Sequence, residues 1–113
     1  ELAAIDQTFK EAGTLRSLGD RPLVVLTAAA PFRAVDLAAL KLTSEQGQRL
    51  QAAWFELHDD EASWSSRSRH VRLEDAHHYV QFDRPDAVID AVREVVEGVR
   101  ASADVRGRLG ASW

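Results

Sequence analysis

The 113-residue chain contains no cysteine, which excludes disulfides and thiol chemistry and leaves the redox compartment open. Its six glycines are scattered, so no glycine-rich phosphate loop is present. No apolar run approaches the roughly 20 residues of a membrane-spanning helix, and no signal peptide is visible. A cytoplasmic location away from membranes is the resulting expectation. The 14 basic residues are interleaved with 18 acidic ones, giving a net charge of −4. Without a basic stripe or a basic-aromatic platform, nucleic acid is not an expected partner. Methionine is missing even at position 1, and the first residues already carry a helical pattern. Both observations lead to the expectation that further sequence precedes Glu1.

What is present suits one domain with a modest core, since apolar residues make up 45% of the chain. Leu2, Ile5, Phe9 and Ala12 recur at helical spacing, which predicts a helix over residues 1–16. Leu18-Gly19-Asp20 is a turn signal. The β-branched run Leu23-Val24-Val25-Leu26-Thr27 lacks polar alternation and suits a strand covered on both faces. Residues 28–42 read as irregular. Thr43 and Gln46 fit a capping box, predicting a helix with Leu50, Trp54 and Leu57 on one face. A second strand is predicted over residues 69–74. Asp83 then fits an N-cap and Pro85 a first helical turn. Val88, Ile89, Val92, Val95, Val96 and Val99 form one apolar stripe. Residues 101–113 read as a flexible tail after a domain of residues 1–100.

The predicted fold class is α/β: helix, strand, helix, strand, helix, with two parallel strands in a partial three-layer, doubly wound sheet. Helices can cover both faces of such a sheet but leave both edges open. Open edges are templates for further strands. The expected partner is therefore a segment that completes the sheet, either the remaining N-terminal part of a larger domain or another chain.

His77-His78-Tyr79-Val80-Gln81-Phe82-Asp83-Arg84-Pro85 lies between the second strand and the last helix. Open α/β sheets place their ligands at the carboxyl ends of strands, where this loop falls. An imidazole there can take a proton from a nucleophile and return it to a leaving group. It can equally be a solvated or helix-capping loop residue.

Residues 18–100 resemble the last third of a bacterial α/β-hydrolase. The stretch Leu18 to Thr27 is similar to that family's penultimate strand with its lead-in. Trp54-Phe55-Glu56-Leu57-His58-Asp59-Asp60 is similar to the following helix, and Ser65-Ser66-Arg67-Ser68-Arg69-His70-Val71 to the approach to the last strand. The segment from His78 to Pro85 matches the catalytic-histidine segment. The resemblance implies that His78 is the general base and that a small, ester-like substrate is hydrolysed without a cofactor or metal.

The chain departs from the family pattern in three places. The family places glycine before its histidine, where this chain has His77, so His77 is the base if the register shifts by one. No acid follows the penultimate strand directly; Ala28-Ala29-Ala30 stands there, and Asp36 is the nearest downstream candidate, with turn or helix capping as its other role. The nucleophile elbow, Gly-x-Ser-x-Gly between a buried strand and a helix, has no counterpart in context. Gly110-Ala111-Ser112-Trp113 fills four of its positions, but residues 105–109 do not read as a buried strand, so the match is assigned to the tail. The nucleophile is expected outside this chain.

The remaining clusters point to solvated surface. His58 and Glu61 share a helical face, but two ligands are fewer than a catalytic zinc site uses. His77 and His78 with Glu74 or Asp75 form no ligand set of defined spacing. Trp54, Phe55 and Trp64 could line an acyl pocket, although packing of the helix on the sheet accounts for Trp54.

Overall fold

The computed structural model describes residues 2–111, arranged as a mixed α/β unit. Its elements are α1 (Leu2–Ala12), β1 (Leu23–Ala28), α2 (Ala34–Leu40), α3 (Ser44–Ala62), β2 (Ser68–Leu73), α4 (Val80–Asp83) and α5 (Pro85–Ala111). The two strands pair in parallel, from Leu23 opposite Ser68 to Ala28 opposite Leu73. Pairing continues past the strands, where the Ala29 N–H donates to Leu73 O and the Ala30 N–H to Ala76 O. The loops after both strands therefore emerge together at one end of the sheet.

Successive β2 residues reach opposite sides, as the two-residue period of a strand requires. Arg69 meets Glu94 of α5, whereas His70 and Arg72 meet Asp59 of α3. Helices α3 and α5 thus lie on opposite sides of the ribbon. Each strand keeps one unpaired edge among the described residues.

Most predicted elements are present, but their faces are not the predicted ones. Helix α3 is capped by the Thr43 and Gln46 pair as expected. Leu50, Trp54 and Leu57, however, are exposed. The face turned inward carries Gly47, Gln51, Phe55 and His58. The reason lies across the interface: β1 and β2 offer Thr27, His70 and Arg72 there, and a polar strip selects partners that can hydrogen bond. Trp54 does not pack on the sheet; it tilts against the His58 ring, with centroids 5.3 Å apart.

The apolar stripe of α5 divides in the same way. Ala91 is buried and Val88 and Val95 are partly covered, while Ile89, Val92, Val96 and Val99 stay largely in solvent. Residues 101–111 are helical, not a loose tail. Ser102 reaches back to Gly98 O within the helix, and nothing in 101–110 breaks the 3.6-residue repeat except glycines, which a long helix tolerates. Ser112 and Trp113 lie outside the described residues.

Residues 28–42 are not wholly irregular, since two turns of helix form at α2. Arg33 precedes α2, and the Asp36 carboxylate accepts its backbone N–H and both arms of its guanidinium. Asp83 does not cap α5. It ends the short α4, and its carboxylate turns back to His77.

The apolar core is small: Val25, Ala29, Leu73, Ala76 and Ala91. The radius of gyration is 18.3 Å, against about 13 Å for a compact chain of this length. Helix α1 contributes to that spread, because Leu2, Ile5 and Phe9 cover no core. Among the described residues no helix is long and apolar enough to cross a membrane.

Two glycines of α5 test its packing and its length. A Cβ at Gly107 would meet nothing within 4 Å, whereas one at Gly98 would come within 3.0 Å of the Pro22 ring. Gly107→Ala should therefore stabilise by about 0.5–1 kcal/mol through helix propensity. Gly98→Ala should lower the urea midpoint instead, because the proline ring cannot rotate away. A neutral Gly107→Ala would place the helix end near residue 100.

Candidate functional site

The loop from Glu74 to Arg84 leaves β2 at the carboxyl end of the sheet. Its first anchor is Ala76, which is 0% exposed and exchanges backbone bonds with Leu73 and Ala30. Its second anchor is Asp83, whose Oδ2 accepts the His77 backbone N–H at 2.7 Å and lies 3.3 Å from His77 Nδ1. Arg84 is the third. Its guanidinium donates to Asp75 Oδ1 at 2.9 Å and to both oxygens of Asp86 at 2.9 and 2.8 Å, tying the two ends of the loop together.

These contacts polarise the carboxylates. The Asp86 carboxyl is held down at about 2, first by its hydrogen bonds to Arg84. Asp83 lies below the ordinary carboxylate range, chiefly because the His77 amide donates to it. Asp36 is lowered mainly by Arg33, and a protonated His77 lowers it further. The start of α2 therefore sits close enough to the histidine loop to share its field. Asp36 nevertheless forms no hydrogen bond with His77 or His78, since its oxygens are committed to Arg33.

The two histidines are used differently. His77 is partly covered and engaged with Asp83 through both backbone and ring. His78 is exposed, and its ring stands edge-on to Tyr79 with centroids 4.9 Å apart. It makes no hydrogen bond to any described residue. Tyr79 and Phe82 add an exposed aromatic surface beside it.

A second cluster lies on the α3 side of the sheet. Thr27 is 0% exposed, and its Oγ1 is 2.7 Å from His58 Nδ1 and 2.5 Å from His70 Nε2. His70 Nδ1 lies 2.7 Å from Asp59 Oδ1, and Asp59 Oδ2 accepts from Arg72 at 3.1 Å. A hydroxyl carries one proton, so of the two imidazole nitrogens one donates to Thr27 and the other accepts from it. The order carboxylate, imidazole, hydroxyl is that of a catalytic triad. Here the hydroxyl is sealed from solvent and capped by a second imidazole, so no substrate carbonyl can reach it. The cluster joins β1, β2 and α3.

Sequence reasoning set His58 and Asp59 on a solvated face and read His70 only as a strand residue. A signal was available: Thr27 is the lone polar residue of an apolar strand, and β2 alternates Ser68, His70 and Arg72 on one side. Among the described residues no group of three or more histidine, aspartate or glutamate side chains converges in a way that could hold a metal ion, at His58 and Glu61 or elsewhere.

No family model, no curated protein and no solved structure matches the chain.

Two outcomes follow from this geometry. Thr27→Val keeps the shape but strands two ring nitrogens, and should destabilise by about 1–3 kcal/mol in urea unfolding. The loop should also be acid-sensitive. Asp83 and Asp86 have folded-state values below their ordinary ones, so their contribution is complete above about pH 4. It is lost as the pH falls through the folded values, reached near 2 for Asp86. The protection factor of the His77 amide should drop over that window in hydrogen exchange, and Asp83→Asn should lower it already at pH 7.

Proposed function

We propose that this chain is the C-terminal portion of an α/β-hydrolase and that His78 is the general base of its reaction. The supporting observation is the contrast between the two adjacent imidazoles. His77 holds the loop through Asp83, whereas His78 projects from the same anchored loop with its ring nitrogens engaged by no described residue, at the carboxyl end of two parallel strands. That position suits a group that must meet a nucleophile and an acid brought by other strands. On this reading β1 and β2 are the last strands of a larger doubly wound, three-layer sheet. The two open edges and the exposed apolar faces of α3 and α5 support a missing neighbour.

The reaction is hydrolysis of a small ester-like substrate. His78 takes the proton of a serine-type nucleophile as that oxygen attacks the carbonyl carbon. It then delivers the proton to the departing alcohol, and the cycle repeats with water. Tyr79 and Phe82 provide apolar surface next to the base.

A second reading has one observation in its favour. The extended shape and small core suit a non-catalytic module that acts in assembly through its open sheet edges. The full-length gene product distinguishes the two. With a panel of p-nitrophenyl esters, His78→Ala should lower kcat by roughly three orders of magnitude or more with unchanged folding. His77→Ala should cost less than His78→Ala and should loosen the loop. Activity within tenfold of the parent in His78→Ala would remove the assignment, and the reverse ranking would move the base to His77. Absence of esterase activity and of labelling by a fluorophosphonate probe would favour the assembly module.

A further inference from the structure

Opposite the histidine loop, at the amino ends of the strands, the chain forms a cleft of about 490 Å³ between the lead-ins to β1 and β2 and the far half of α5. That volume falls in the range of small-molecule sites, about 300–1,000 Å³. Three arginines line it: Arg21, Arg67 and Arg106. Asp20 is the one carboxylate among the lining residues, so the wall carries a net charge of two positives in a chain whose total is −4.

What separates these arginines from most others in the chain is their partners. Arg33, Arg69, Arg72, Arg84 and Arg93 are each paired with a carboxylate. None of the cleft's three forms an ion pair with a described residue. Arg67 is held by neutral oxygens: Nε donates to Asp20 O at 2.7 Å and Nη2 to Ser102 Oγ at 2.9 Å. Ser102 in turn donates to Gly98 O at 3.0 Å, so its hydroxyl is oriented toward that role. Arg21 donates to Leu18 O at 3.0 Å. Two cations are thus fixed in place without being neutralised, and Arg106 stands beside them with no side-chain hydrogen bond to a described residue. Fixed guanidinium forks suit tetrahedral oxyanions, and the ordering cost is already met before a ligand arrives. Pro22 and Val99 supply an apolar wall in the same cleft.

We propose that this cleft binds a phosphate monoester bearing a short apolar group. The dianion matches the net charge of the wall, its oxygens meet Arg67 and Arg106, and its apolar group lies on Pro22 and Val99. The site is about 20 Å from the histidine loop along the strands, and the inference does not rest on the hydrolase reading.

Calorimetric titration of the intact protein with phenyl phosphate tests it. Saturable binding of one ligand per chain is expected, with benzyl alcohol giving none and inorganic phosphate binding more weakly by about threefold or more. Arg106→Gln, which removes no internal bond, should raise Kd at least tenfold, and Arg67→Lys should do the same with an unchanged circular dichroism spectrum. Cosedimentation with phosphatidic acid vesicles, competed by phenyl phosphate, would support the site and identify the source as a lipid headgroup. Binding of phenyl phosphate without vesicle binding would support it with a free ester. No saturable heat up to tens of millimolar, or an Arg106→Gln titration equal to the parent, would overturn it.

Discussion

Parallel pairing of Leu23–Ala28 with Ser68–Leu73 is the constraint from which the remaining geometry follows. Parallel strands cannot be joined by a tight turn, so the chain must cross over between them, and α2 and α3 occupy that crossover. The same pairing gathers the two loops that follow the strands, which sets the start of α2 beside His77. It also gathers the two lead-ins at the far end, where Arg67 reaches the Asp20 carbonyl. The two candidate sites are the two ends of one ribbon.

The interface between the ribbon and α3 is unusual for its polarity. A sheet face and a helix normally meet through aliphatic side chains. Here Thr27, His58, His70 and Asp59 occupy the contact, and no buried side-chain polar atom is left without a partner among the described residues. Such a network tolerates few alternative arrangements, because each group has a fixed number of donors and acceptors. It gives the small core a specificity that five buried apolar residues, three of them alanine, would not supply. The aliphatic residues that would ordinarily fill such an interface instead face solvent on α3 and α5.

That inversion explains how far the sequence could be read. Strand and helix existence follow from local periodicity, and β1, β2, α3 and the first four turns of α5 were legible on that basis. The capping of α3 was legible because Thr43 and Gln46 act within one turn. The orientation of the helices was not, because the rule that apolar stripes face inward fails when the sheet offers threonine and histidine. Asp36 and Asp83 were legible as capping types but not by partner. The Asp36 bond to Arg33 spans a single helical turn, whereas the Asp83 bond to His77 depends on loop geometry that no spacing encodes. His77 and His78 were legible as a pair on the loop after β2. Their division of labour, one engaged and one not, required coordinates. The arginine cleft left no trace in sequence, since its three cations come from segments separated by up to 85 positions.

Ala76 has a consequence for the residue two places on. Its methyl is wholly enclosed and its carbonyl is held by the Ala30 amide, so the backbone is pinned just before the histidine pair. Asp83 pins the next amide. The His78 ring can then explore space chiefly by torsion about its own two side-chain bonds, sweeping a small arc and not a wide volume. If His78 is the base proposed above, a reactant must be delivered onto that arc, and whatever presents it has little latitude in distance or angle.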